Sequence, residues 1–358
     1  MIQIERYRFV ILAVSSLGFA VTWIARTAYS PLIGEIKDSL NLSYSEAGLV
    51  MSLFWIGYSI VQIPSGILSD KFGVRSLSAV TLFLTGVFMY LQGNSSSFIE
   101  FSAYNFLAGL TSGFMWCLGN SSVVRWFSTR DRTIAIGIFS SSSSAGVLIA
   151  STLSPHISAV LGSWRWSFWI LSTAAFISSL LALVFMKESL QTKDLPSKNR
   201  SRSTFSIKEA LIEISKSQEF WLLTIAISGL KLLIGAATTW TPTFLIDAFG
   251  VTATLAGILA SFSHIISMFS GPSAGFISDR ILKRKNPILL ASTALASVFL
   301  FLVGFSEQWT IGTSLCLIYV GFFFGSMGFG LNPSILADLF PLKYVGTAIG
   351  FLNFASGI

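Results

Sequence analysis

Charge is what this sequence has least of. Of its 358 residues only 11% are charged, 23 basic and 16 acidic, against about 25% in an ordinary soluble domain. So few charges cannot build a water-facing shell around a chain of this size. That excludes a soluble enzyme, a disordered regulator and a nucleic-acid-binding domain. Cysteine is almost as scarce: Cys117 and Cys316 lie inside apolar stretches without CxxC spacing. A disulfide framework and a metal site are therefore not expected, and both thiols read as small buried apolar side chains. There is no HExxH, no glycine-rich nucleotide loop after a strand and no buried acid pair, so neither an enzyme nor a cofactor is expected. What remains is 53% hydrophobic and includes 32 Phe, the composition of an all-α integral membrane protein.

A helix needs about 20 apolar residues to cross the hydrocarbon layer. Stretches free of Asp, Glu, Lys and Arg occupy 47–69, 76–99, 101–124, 133–164, 166–186, 248–278, 286–306 and 308–337. Two more, 9–30 and 220–246, are each interrupted by one base, Arg26 and Lys231, and a last one, 344–358, runs to the end of the chain. This gives ten complete spans and a partial eleventh. A signal peptide at the start is disfavoured because the first apolar run is too long and nine spans follow it.

Nineteen bases fall in alternate connecting segments and only Lys37 and Arg165 in the others, which places the N terminus in the cytoplasm and explains the net charge of +7. The polar stretch 187–219, with Pro196 and several Ser, reads as a cytoplasmic linker whose end, Ile207 to Ser217, forms a short amphipathic helix along the membrane. It separates a six-helix bundle at 1–186 from a second, incomplete bundle at 220–358.

The two parts repeat one another. Residues 66–75 read GILSDKFGVR and residues 275–284 read GFISDRILKR, at an offset of 209 that also aligns Ala47-Gly48 with Ala256-Gly257. Several matches in one register indicate duplication. Each loop joins the second and third helices of its half. Its glycines allow close approach of helix ends, and its Asp can face the N-terminal dipole of another helix.

GILSDKFGVRS at 66–76 resembles the signature loop of the major facilitator superfamily. SEAGLVMSLFWIGYSIVQIPSGILSDKFGVR at 45–75, VVRWFSTRDRTIAIGI at 123–138, SWRWSFWI at 163–170 and ADLFPLKYVGTAIGFLNFASG at 337–357 are similar to its anion:cation symporter and organophosphate antiporter branches. The resemblance implies twelve helices in two six-helix bundles around a central cavity, lined by helices 1, 2, 7 and 11 among others. It also implies that Gly66, Asp70, Gly73, Arg75, Gly275, Asp279 and Arg280 govern the conformational switch. The chain departs from the pattern in helix 4, where YNFLAGLTSGFMW offers Asn105 in place of a base and no acid. It also stops within the eleventh helix, and so reads as a truncated sequence.

An ionisable side chain in the bilayer interior costs about 2.5–3.5 kcal/mol on insertion scales. Only Arg26 and Lys231 incur that cost, Lys231 lying twelve residues, or about 18 Å, into the seventh helix. Glu100, Asp247, Glu307 and Asp338 all fall at span ends. Two interior cations without a fixed acid need an anion, and a cargo can supply it. Each also has a structural alternative: Arg26 snorkels to the surface, or Lys231 bonds the carbonyl of a broken helix. Polar and aromatic neighbours to complete a pocket are Trp23, Tyr29, Trp55, Tyr58, Asn105, Trp116, Trp240, Asn332 and Asn353, with Tyr58 and Asn353 favoured by their family counterparts. His264, mid-span in the eighth helix, can carry a proton or simply pack; His156 belongs at the surface.

The expectation is a secondary active transporter moving a small organic anion, a carboxylate, sugar acid or phosphate ester, by alternating access. Carriers of neutral or cationic compounds, and a non-transporting sensor on the same fold, are the alternatives. Partners are the lipid bilayer, the anionic small molecule and a coupling ion or counter-anion, with no nucleic acid. The protein is expected to be a monomer, multi-pass, in the plasma membrane.

Overall fold

The structure is a computed structural model that describes residues 2–187, 207–251, 253–305, 310–341 and 344–356. Among these residues all regular structure is helical. The first span is α1 (Ile2–Thr27), extended by a 3-10 turn at Ser30–Leu32 and by α2 (Ile33–Ser39). The second is α3 (Tyr44–Ile60) followed by α4 (Gln62–Phe72), and the third is α5 (Val74–Asn94). The fourth is α6 (Phe98–Ser112) followed by α7 (Phe114–Trp126). Then come α8 (Arg132–Leu161) and α9 (Trp164–Phe185). After the linker lie α10 (Ile207–Lys216), α11 (Gln218–Phe249), α12 (Ala253–Phe276) with a π turn at Ile277–Ile281, α13 (Asn286–Val303), α14 (Ile311–Leu339) and α15 (Val345–Ala355).

Eight of these helices are individually long and apolar enough to cross a membrane. The second and fourth spans, read from sequence as unbroken, are instead two helices each. Pro64 lacks the N–H that would bond the carbonyl of Ile60, and its ring crowds that carbonyl, so α3 stops at Ile60. The break in the fourth span is at Gly113, where a Cβ would lie 2.4 Å from Val61 Cγ2 and 2.7 Å from the Tyr58 carbonyl oxygen. The two interruptions therefore rest on each other. Pro155, Pro272 and Pro333, by contrast, stay inside continuous helices.

Helix ends are fixed by local chemistry. Ser43 and Glu46 form a reciprocal capping box at the start of α3. Arg165 Nη1 donates to the carbonyls of Gly93 (3.0 Å) and Ser95 (2.6 Å) past the end of α5. The amphipathic helix expected at 207–217 is α10, which sets its buried Ala210 and Ile214 against α15 and α11.

Before the linker α1 packs on α8, α5 on α9 and α3 on α6; after it α14 packs on α11, α12 and α13. The two sets meet along two seams, α8 against α12 and α14, and α4 with α7 against α15. Both seams run at the end of the molecule that carries loops 66–75 and 275–284. They depend on missing side chains. A Cβ on Gly137 would sit 2.2 Å from the Gly271 carbonyl oxygen, and one on Gly66 would sit 2.3 Å from that of Gly346. Backbones approach this closely only where no Cβ intervenes. Of the two cysteines, Cys117 is buried as expected, whereas Cys316 is exposed on α14. Its place on the outward face of that helix was not visible in an evenly apolar stretch.

Candidate functional site

Trp23 and Arg26 are three residues apart near the end of α1, so they share a face. The Arg26 guanidinium carbon sits 4.1 Å from the Trp23 ring centre and 3.9 Å from that of Trp55 on α3. Two ring faces lend it electron density but no lone pairs, and Arg26 Nη1 is buried without a hydrogen-bond partner. Tyr58 continues the cluster, edge-on to Trp55 at 5.7 Å. The His264 ring packs against Phe322 at 6.4 Å and 70°.

Lys231 occupies the middle of α11 and has its donors engaged. Nζ donates to Asn353 Oδ1 at 2.8 Å, to Ser356 Oγ at 2.8 Å and to the Asn353 carbonyl oxygen at 3.3 Å. The carbonyl it meets lies in the last turn of α15, not at a helix break as in the structural alternative. Asn353 Nδ2 in turn donates to Gln62 Oε1 at 2.6 Å. Among the described residues, no Asp or Glu forms an ion pair with Arg26 or Lys231.

Three expected pocket residues lie elsewhere. Tyr29 is 1% exposed, donates to the Ala47 carbonyl at 3.0 Å and packs on Phe101; its hydroxyl fastens α1 to α3. Asn105 is 3% exposed; it accepts from Gln92 Nε2 at 2.8 Å and donates to the Val50 carbonyl at 2.7 Å. Its amide is consumed in joining α6 to α3 and α5. Trp240 follows Lys231 by nine residues, half a turn out of phase on the helix wheel, and is exposed. His156 is exposed, as expected. Gln62 and Ser356 were not anticipated. The one available sign was an amide in the otherwise apolar run 47–69, two residues before the proline that breaks it.

At the loop end, Asp279 Oδ2 accepts the backbone N–H of Thr133 at 3.0 Å and of Ile134 at 3.2 Å. These are the second and third residues of α8, whose first-turn N–H groups have no partner within the helix. Asp131, the natural cap of α8, makes no capping bond and pairs with Arg280 at 2.8 Å and Arg8 at 3.4 Å. A carboxylate from across the seam therefore caps α8 in its place. Arg132 and Lys285 both pair with Asp338, and the hydroxyls of Thr133 and Ser334 meet at 2.8 Å. Gly275 would place a Cβ 2.5 Å from Ile134 Cα. In the first loop, Gly73 has φ 81°, which only glycine adopts without strain. Arg75 Nε donates to the Leu183 carbonyl at 2.8 Å. The side chain of Asp70 lies outside the described residues.

Comparison with known proteins adds relatives to this geometry. The chain is 24% identical over 347 residues to a hexuronate transporter of Bacillus subtilis, covering 94% of this chain and 82% of that protein. It is 25% identical over 386 residues to a probable galactarate/D-glucarate transporter of Escherichia coli, covering 97% and 84%. A D-galactonate transporter of Escherichia coli is 23% identical over 384 residues, covering 99% and 86%. In three dimensions it resembles a proton:xylose symporter with a TM-score of 0.76 at 18% identity, over 98% of this chain and 86% of that one. A fucose transporter crystallised in an outward conformation gives a TM-score of 0.75 at 16% identity, over 98% and 90%. A family description matches residues 15–358, from the middle of α1 to the last residue, and by that match the chain belongs to the Major Facilitator Superfamily.

Proposed function

We propose that this protein carries a sugar acid, an aldonate, aldarate or hexuronate, across the plasma membrane by alternating access between its two bundles, 1–186 and 220–358. The observation that carries this reading is Arg26: a partly buried side chain, clamped between Trp23 and Trp55, with its buried Nη1 left without a partner. A carboxylate would take the vacant donor in a charge-assisted bond, about twice as strong as a neutral one, and could engage the guanidinium in bidentate fashion. The indole faces would lie against the C–H faces of a polyol chain, and Tyr58 and His264 would offer hydrogen bonds to its hydroxyls. A second carboxylate, as in an aldarate, would reach Lys231. The transporters named above, whose cargoes are sugar acids, favour carboxylates over phosphate esters. A cationic cargo would want a carboxylate beside Arg26, and a neutral one would leave the guanidinium unpaired.

With the basic loops in the cytoplasm, the two glycine seams would lie at the cytoplasmic end, which supports reading this arrangement as the state open outward. The spans of this sequence place no acid at their centres, which supports exchange of the cargo for a second anion beside coupling to an ion. It works as a monomer and leaves the cargo chemically unchanged. Counterflow in proteoliposomes tests the reading. Labelled D-galactarate, D-galactonate or D-galacturonate should accumulate against the unlabelled acid, and Arg26→Gln should abolish it. Accumulation of xylose or of a quaternary amine, with none of the acids, would overturn it.

A further inference from the structure

Gln62 is 1% exposed and is the first residue of α4 after the break. Its Nε2 donates to the carbonyls of Tyr58 at 3.1 Å and Gly113 at 3.3 Å, one carbonyl at each of the two helix interruptions. That fixes the amide's orientation and turns Oε1 toward Asn353 Nδ2, 2.6 Å away. Asn353 is oriented from its other side, because Lys231 can only donate and must meet Oδ1. The result is a one-way chain from a cation on α11 through two amides to the broken second and fourth spans. Each member polarises the next. The chain crosses the α4–α15 seam, where Gly350 packs so tightly on the Gln62 carbonyl oxygen that a Cβ there would lie 2.2 Å from it.

We propose that Gln62 is a positioning residue that couples occupancy of Lys231 to the α4–α15 seam. This rests on the reading that an anion engages Lys231, as the second carboxylate of an aldarate cargo would. A carboxylate outbids the neutral Asn353 oxygen for the ammonium. Lys231 then releases Oδ1, the Asn353 amide is free to turn, and its bond to Gln62 loses the orientation that kept it. The seam is weakened at the moment the cargo is in place, which makes opening of the loop end conditional on cargo. Arg26 would hold the anion, and Lys231 and Gln62 would report it.

Hydrogen–deuterium exchange of the purified protein reads α4 and α15 directly. Without ligand, Gln62→Met, which keeps the side-chain length and removes both polar atoms, should speed exchange across 345–355 about fivefold, the worth of one buried hydrogen bond. Lys231→Met should do the same. The double variant should exchange no faster than either single one, because both break the same chain. Additive effects would overturn the proposal, and so would wild-type exchange in Gln62→Met, since a packing role survives that swap. With saturating D-galactarate the wild type should show the same acceleration and Gln62→Met no further change. A ligand response of wild-type size in Gln62→Met would overturn it. The anion reading fails separately, when galactarate, galactonate and inorganic phosphate all leave the melting temperature of the wild type unmoved; the ligand-free comparison still decides the role of Gln62.

Discussion

Arg26 and Lys231 are chemically alike in sequence and differ in the structure. Lys231 has its donors satisfied by Asn353 and Ser356, whereas Arg26 faces two indoles and keeps one nitrogen unpartnered. Removing the guanidinium should therefore harm cargo binding more than stability. A charge-assisted bond is worth about 1.5–3 kcal/mol, so Arg26→Gln should weaken sugar-acid binding about ten- to a hundredfold in a calorimetric or thermal-shift titration. Arg26→Lys should recover only part of the loss, because an ammonium cannot make the planar two-point contact. Asp279 poses a different test. Its carboxylate caps α8 across the seam, and a lost cap costs about 1 kcal/mol. Asp279→Ala should leave binding intact while slowing counterflow and raising exchange in the first turn of α8. Asp70→Asn, at the matching position of the internal repeat, should likewise slow counterflow and leave binding intact.

At the scale of elements, the second and fourth spans show why composition alone misleads. Apolar content identified 47–69 and 101–124 as membrane-crossing but was silent on continuity. That is settled by one proline and by the mutual packing of Val61 and Gly113. Tyr29 and Asn105 were assigned to the pocket from residue type, and their partners, Ala47, Gln92 and Val50, become visible only when α3, α5 and α6 are set side by side. The glycine contacts follow the same logic and invite a direct test. Gly137→Val puts bulk where a Cβ would already be 2.2 Å from the Gly271 carbonyl. Overpacking of this kind costs about 1–3 kcal/mol, enough to invert a two-state balance of similar size. The variant should favour the state with the loop end open, seen as faster exchange in 271–281.

For the molecule as a whole, orientation is the claim most exposed to experiment. Asp38→Cys, at the end of α2, should react with an impermeant maleimide added to intact cells. Lys283→Cys, beyond the π turn, should react only after permeabilisation; a Cys316→Ser background removes the exposed native thiol. The reverse pattern would invert the molecule and make the closed seams the outer gate. Exchange is the second whole-molecule test. An imposed pH gradient should not drive net uptake of galactarate into liposomes free of internal anion, whereas preloaded galactarate should, because the spans of this sequence carry no carboxylate at their centres.

By itself the sequence determined that the chain lives in a membrane and roughly where it crosses, and it showed a repeated loop and two cations inside apolar runs. Those properties are local: they follow from apolar run length and from the cost of burying charge, whatever the neighbours. Only the tertiary structure decided which cation is left wanting a partner, which loop carboxylate caps which helix, and that an unremarked glutamine joins the two parts. Hydrogen bonds and close backbone approach depend on distances of a few ångströms between segments far apart in the chain, as with Gln62 and Asn353, and residue order does not encode such distances in readable form.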